Sequence, residues 1–257
     1  MSMAPRSSEL TSGATAAVGA RAASALLGDA AVVIWNDIAD DGRRLFYAWH
    51  DREHIPERLA IPGFLRGRRY IRPGHSPEWL TLYEARDVGV VTSPAYLARL
   101  NAPTEATRAT LPFFRNTSRA VCRIAASLGT SSGGHVLALR IGAGRDASAA
   151  VRAAIATRIL PRAAHGPGIV AAHLLAAEID ASHVDTAESR TRAFDVPPYV
   201  VLVEATTAAA AEDARAAFDD DALAPLGATV RPDGAVYALE ICRLASSIAG
   251  ADDARAR

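Results

Sequence analysis

Hydrophobic and polar positions along this chain follow one order of strand-like and helix-like periods, and that order is written twice. From Ala30 to Ile38 the run AAVVIWNDI is β-branched and apolar, the pattern of a strand covered on both faces. A helical pattern follows from about Gly42 to Leu59, with Leu45, Trp49 and Arg52 or Glu53 on one face and Pro56 placed to kink or restart it. Pro62-Gly63 makes a turn, and Phe64 to Ile71 alternates as a strand with Phe64, Arg66, Arg68 and Tyr70 on one face. A strand at Trp79–Ala85, a helical region from Pro94 to about Phe114 interrupted near Pro103, and a strand at Ala120–Ala125 complete the order β-α-β-β-α-β.

After the segment SLGTSSGG the same order returns. HVLALRI reads as strand, Ala147–Ala164 as helix, Pro167-Gly168 as turn, IVAAHLLAA and YVVLVEA as strands, Ala208–Phe218 as helix and VYALEICRL as strand. The two Pro-Gly turns lie 105 positions apart, Glu84 matches Glu204, and Cys122 matches Cys242. Such a period marks a duplicated domain, not a solenoid. The split βαβ order implies an antiparallel sheet with both helices on one face, leaving the other face to be covered. The predicted fold class is α+β: two tandem ferredoxin-like units forming an intrachain pseudo-dimeric α+β barrel. The predicted boundaries are a disordered start at 1–28, a first unit at 29–126, a linker at 127–133, a second unit at 134–244 and a tail at 245–257.

Composition narrows the partners. Half of the 257 residues are hydrophobic, 28 basic residues balance 28 acidic ones, and every basic residue is Arg. A net charge of zero without a basic run argues against nucleic acid or an anionic membrane. No apolar run approaches the roughly 20 residues of a membrane span. Arg21 interrupts the N-terminal segment where a signal peptide would be unbroken. Two distant cysteines suggest neither a disulfide framework nor a cysteine-based zinc site, so a reducing, cytoplasmic setting is expected.

The chemistry concentrates in LFYAWHDREHIPERLAIPGFLRGRRYI, Leu45 to Ile71, whose polar groups are expected to converge where helix and strand meet across the turn. FYAWHDREHIPERLAIPGFLRGRRY resembles the signature of the EthD-like branch of the dimeric α+β barrel superfamily. The resemblance extends over about residues 30–126 and is topological beyond. Relatives include muconolactone isomerases, antibiotic-biosynthesis monooxygenases, haem-binding enzymes and EthD-type decarboxylases, so the fold does not name the reaction. By motif match His54 takes the place of the family's helical histidine, and Trp49 and Tyr70 those of its pocket aromatics.

A shift of 105 sets Ala154 opposite Trp49, Ile155 opposite His50, Ile159 opposite His54 and Leu175 opposite Tyr70. The second half lacks the polar set, so one working pocket per chain is expected, in the first half.

The leading expectation is a cofactor-independent enzyme using general acid/base catalysis on a small hydrophobic, aromatic or polyketide-like acid or enol, of lyase, decarboxylase or isomerase type. His54, whose ordinary pKa is near neutrality, and Tyr70 are its catalytic candidates. Trp35, Trp49, Tyr83 and His50 line the substrate, with Arg68 or Arg69 anchoring an anion. A solvent-side place on the helix is the other reading of His50. The alternatives are a haem- or small-molecule-binding protein without catalysis and a cofactor-free monooxygenase. No cofactor is required by the leading reading, although haem or a metal at His50 and His54 stays open. The chain is expected as a monomer or a homodimer.

Rival motifs carry less. His50-Asp-Arg-Glu53-His54 matches the H-x-x-E-H zinc pattern but lacks an obvious third ligand. Gly142-Ala-Gly144-Arg-Asp-Ala147 resembles a dinucleotide fingerprint without its acidic residue some 20 positions on, and reads better as a loop with Asp146 capping the helix. Asp219-Asp220-Asp221 reads as a helix end in solvent, and His173, opposite Arg68, either reaches the pocket or sits hydrogen-bonded in the barrel.

Overall fold

The computed structural model describes residues 23–144, 148–183 and 195–248. In the first half β1 (Ala30–Ile38) is followed by α1 (Arg43–Trp49), a π-helical turn (His50–His54) and α2 (Ile55–Leu59), then β2 (Phe64–Ile71) and β3 (Trp79–Ala85). The half ends with α3 (Pro94–Asn101), α4 (Glu105–Thr110) and β4 (Phe114–Leu128). The second half runs β5 (His135–Ala143), α5 (Ser148–Ala154), a π-helical turn (Ile155–Ile159), α6 (Leu160–Ala164), β6 (Ile169–Ala177) and α7 (Ile179–Ser182). It finishes with β7 (Tyr199–Ala205), α8 (Ala208–Asp213), α9 (Asp220–Leu223), β8 (Ala228–Val230) and β9 (Ala235–Leu244).

The π turns have a common cause. Pro56 and Pro161 each lack an N–H, and a proline ring collides with the carbonyl four residues back. Just ahead of each, the ladder widens to a five-residue step: Ile55 N–H donates to His50 O, and Leu160 N–H to Ile155 O. The first helix therefore bulges and continues where the sequence suggested a kink or restart.

All strand pairings are antiparallel. The first half has strand order β4-β1-β3-β2 and the second β9-β5-β7-β6, joined by β2–β9 and β4–β6 into a closed ring of eight strands with short β8 beside β5. The sheets thus meet edge to edge, which leaves neither with a long open edge. The lumen holds an apolar cluster drawn from both halves, including Leu26, Trp35, Tyr70, Leu82, Val200 and Tyr237. Helices cover the outer faces: Val151, Ile155, Ile159 and Leu160 pack over the second half, and Ile55, Leu59, Phe64 and Tyr83 lie beneath the first.

Several boundaries differ from the expected ones. β4 begins at Phe114 and runs to Leu128, past position 126. The stretch before Gly28 is not all outside the fold, because Ala25 and Leu26 are buried; residues 1–22 lie outside the described residues. Beyond Leu244, Ala245 N–H donates to Leu65 O and Ile248 packs against the first-half core. Asp219 begins a helix rather than ending one, its side chain accepting from Ala222 N–H at 2.9 Å. Asp146 lies outside the described residues. Leu45 is exposed, and the buried stripe of α1 is Phe46, Trp49 and His50, the i, i+3, i+4 set. Phe64 shares no face with Arg66, because Phe64 pairs with Ala85 and Arg66 with Glu84, a bulge that turns Phe64 to the helices.

Candidate functional site

The sheet divides the residues that the sequence grouped together. Trp49, His50, His54, Arg69 and Tyr83 lie between the first-half sheet and its helices, whereas Trp35, Arg68 and Tyr70 point into the lumen. They do not converge on one site. Alternation along β2 is the cause: Arg68 and Tyr70 take one face, and Arg69 the other.

In the helix–sheet layer, His50 and His54 stack with ring centroids 5.5 Å apart and an interplanar angle of 22°. Trp49 packs on His54 at 4.2 Å, Phe46 stacks on His50 at 5.0 Å, and Tyr83 meets His54 edge-on at 6.3 Å. Trp49 Nε1 donates to Thr107 Oγ1 at 3.0 Å, which fixes the indole against α4. Thr104 caps that helix by accepting from Thr107 N–H at 3.0 Å, and its hydroxyl donates to Glu53. Each ring is thereby placed by a neighbour on another element.

His50 is 4% exposed, which removes the solvent-side reading. Arg69 Nη1 lies 3.0 Å from its Nδ1. A guanidinium has donors alone, so Nδ1 accepts and the proton of the neutral ring is on Nε2. Burial, reinforced by the charges of Arg69 and Arg58, holds the His50 pKa well below its ordinary value. Arg58 is itself buried and lies over the Tyr96 ring at 5.8 Å.

The lumen carries a different set. Arg66 grips Glu84 through Nε and Nη2, both at 2.8 Å, and Arg68 Nη2 pairs with Glu84 at 2.9 Å. Arg68 Nη1 also donates to Glu204. His173 Nδ1 meets Ser127 Oγ at 2.8 Å, and its Nε2 approaches Glu204 at 3.4 Å. Leu27 N–H caps Glu84 at 2.7 Å and Gly133 N–H caps Glu204 at 3.0 Å. His173 is therefore the barrel histidine, and Arg66 and Arg68 are buried ion-pair partners of Glu84 and Glu204. Burial pushes the Tyr70 phenol pKa upward, which keeps it protonated.

Open clefts lie elsewhere. One of 530 Å³ is lined by Glu57, Ala60, Ile61, Pro62, Ala95, Ala98 and Arg99. A second, of 340 Å³, occupies the matching place by Arg162, Gly166 and Pro167. His54 lines neither, so the apolar pocket expected at its wall is not one of them. Among the described residues no group of three or more His, Cys, Asp or Glu is placed to hold a metal ion. Haem asks for an open helical histidine over a flat slot, with its ligating nitrogen free. His50 does not fit, since Arg69 fills Nδ1 and leaves the proton on Nε2; His54 is packed by Trp49 and His50, and in the second half Ile155 and Ile159 stand where the histidines would be.

No family model matches the chain, and no curated protein matches it. Solved structures do. An anthrone oxidase-like protein superposes with a TM-score of 0.59 at 11% identity, covering 86% of this chain and 95% of that one. A putative chlorite dismutase gives 0.51 at 15% identity, covering 87% and 99%. A putative monooxygenase from Fusobacterium nucleatum gives 0.50 at 8% identity, covering 85% and 96%. The chain shares its fold with these proteins. These neighbours are an oxidase-like protein, a putative monooxygenase and a putative chlorite dismutase, none of them a lyase, decarboxylase or isomerase by name, and the expectation of lyase, decarboxylase or isomerase chemistry is withdrawn on that finding. Among the described residues no helix is long and apolar enough to cross a membrane.

Sequence reasoning passed over Phe46, Thr104, Thr107, Arg58 and Glu240, all of which shape the layer. Glu240 alone left a signal, as the one acid inside the apolar run AVYALEICRL.

Proposed function

We propose that this chain is a cofactor-free oxygenase of the EthD-like branch, built as a tandem pseudo-dimer, whose first half acts on a small, electron-rich aromatic enol or phenol. The observation that carries the reading is the buried histidine pair His50 and His54, walled by Phe46, Trp49 and Tyr83, where the second half has Ile155 and Ile159 in a hydrophobic core. Supporting the tandem are the matched strand orders, the π turns 105 positions apart and the paired clefts beside the two Pro-Gly turns.

In this reading His54 takes a proton from the substrate, and the resulting electron-rich anion is the species that reduces dioxygen. Oxidation of a ring methylene to a carbonyl breaks two C–H bonds and forms one C=O. One oxygen atom enters the product, and the other leaves as water with the two hydrogens. Four electrons leave carbon and four reduce dioxygen, so no further reductant is consumed. Neutral His50 supplies an N–H donor beside the base, suited to an oxyanion in a dry, aromatic layer.

The test is oxygen uptake with anthrone-like enols and polycyclic phenols, with ¹⁸O₂ traced into product by mass spectrometry. Incorporation of one labelled atom that is lost in His54→Ala supports the reading. A Soret band with haem-dependent turnover, or product free of label, rejects it.

A further inference from the structure

We infer that Glu240, on the last strand of the second half, is a positioning residue for the histidine site of the first half, fixing through Arg69 the ring orientation and tautomer of His50. This rests on the reading of the His50 and His54 layer as the active site.

Glu240 sits where the ladder breaks. Along β2, Arg69 pairs with Ile241 and Tyr70 with Leu239, so Glu240 is the extra residue of a bulge in β9. Bulges re-aim a side chain that regular alternation would place elsewhere. Here the carboxylate reaches across the seam between the halves: Oε2 accepts from Arg69 Nε at 2.8 Å, and Oε1 accepts from the Tyr47 hydroxyl at 2.7 Å.

The guanidinium of Arg69 is clasped from every side. It lies over the Tyr47 ring at 4.6 Å and the Phe46 ring at 5.5 Å, pairs with Asp51, and has a side chain 3% exposed. Its Nη1 is then the donor to His50 Nδ1. Glu240 holds one end of a planar fork whose other end sets the histidine, and a planar fork transmits orientation as a flexible ammonium does not. Facing His50 besides Arg69 are Phe46, Trp49 and His54 on its own helical stretch and the charge of Arg58 on α2.

The chain of contacts is specific to one half. At the matching positions stand Ala125, the extra residue of the corresponding bulge in β4, for Glu240, Leu174 for Arg69, Ala156 for Asp51 and Ile155 for His50, so anchor, relay and target are absent together. The second half thus supplies a polar group to the working site besides closing the barrel.

The experiment is two-bond ¹H–¹⁵N correlation on the full chain labelled at histidine, with His50→Asn used to assign the signals. The unaltered protein is expected to show His50 as the pure Nε2–H tautomer at neutral pH. Glu240→Ala should move both ring nitrogens to the averaged shifts of exchanging tautomers. Glu240→Gln keeps an oxygen for Arg69 Nε and should restore the original pattern. Should Glu240→Ala fail to fold, Arg69→Lys, which removes the planar fork between Glu240 and His50, gives the same readout. A folded Glu240→Ala, or in its place a folded Arg69→Lys, with an unchanged His50 pattern overturns the inference, as does averaging that Gln fails to reverse. The readout involves no turnover, so it stands or falls separately from oxygen uptake.

Discussion

Arg68 and Glu204, 136 positions apart in the chain, meet inside the barrel with the Arg68 Nη1 atom 3.0 Å from each carboxylate oxygen. Arg68 comes from the first half and Glu204 from the second, and each is 1% exposed, so this pair ties the halves across the lumen. Removing one partner of a buried pair leaves the other charge uncompensated, at a cost of about 3–5 kcal/mol. Arg68→Met is expected to lower stability by that order in urea unfolding. Adding Glu204→Gln should recover part of the loss, because that stranded charge then goes, whereas Glu84 keeps Arg66 as its partner. A loss below about 1 kcal/mol for Arg68→Met, the size of an exposed pair, would refute the tie.

Acid should act on the fold in two separate windows. Burial alone would raise the Glu204 pKa, but His173, Arg68 and the Gly133 N–H outweigh it and hold the carboxyl at about 2. A carboxylate with a depressed folded pKa stabilises above its unfolded value, about 4.3, and that stability is lost as pH falls from there to about 2. His50 is also depressed, so the unfolded chain takes up its proton first, below about 6.5. Its share of stability is complete above that pH and declines as pH drops toward the folded value. Thermal midpoints measured from pH 7 to pH 4.5 should fall for the unaltered protein. His50→Asn, which keeps an acceptor for Arg69, should flatten that stretch while leaving the lower window.

Tyr70 is expected to be dispensable. Its hydroxyl is buried in the lumen and finds no hydrogen-bond partner among the described residues, and the sheet separates it from His54. Leaving a buried donor unsatisfied costs about 1–3 kcal/mol, a penalty that phenylalanine does not carry. Tyr70→Phe should unfold at the same urea concentration or a higher one and keep the oxygen uptake of the parent. A fall in uptake of tenfold or more would return Tyr70 to the catalytic set.

What the sequence could reveal follows the range of each interaction. Strand and helix order is local, and Pro-Gly, glutamate and cysteine spacing pointed to the repeat, so the β-α-β-β-α-β order was legible in both halves. The convergence of the site was not. Phe64 was read onto the Arg66 face because a bulge shows in pairing and not in a single strand, and Tyr70 was joined to His54 because the turn between helix and strand says nothing of which sheet face meets the helix. The Glu240 to Arg69 link depends on a contact 171 residues long in sequence. The π turns also caution against reading local geometry as function: the same turn recurs at Ile155–Ile159, where Ile155 and Ile159 replace the two histidines, so proline sterics explain it in both halves.

The two helical positions that separate function from packing are His54 and Ile159, equivalent under the 105-residue shift and each following the same π geometry. His54 stands against Trp49, His50 and Tyr83 in the first half, while Ile159 is 4% exposed within the hydrophobic core of the second. Losing a general base typically lowers the rate by about 10²–10⁴, whereas truncating a buried isoleucine typically costs about 2–5 kcal/mol of stability. His54→Ala is therefore expected to lose oxygen uptake even per folded molecule. Ile159→Ala should unfold earlier yet retain its rate per folded molecule. Oxygen uptake and urea titration on the same two preparations decide the matter: near-normal turnover in His54→Ala would make that ring a packing residue beside Trp49, and an inactive but stable Ile159→Ala would move the working site to the second half.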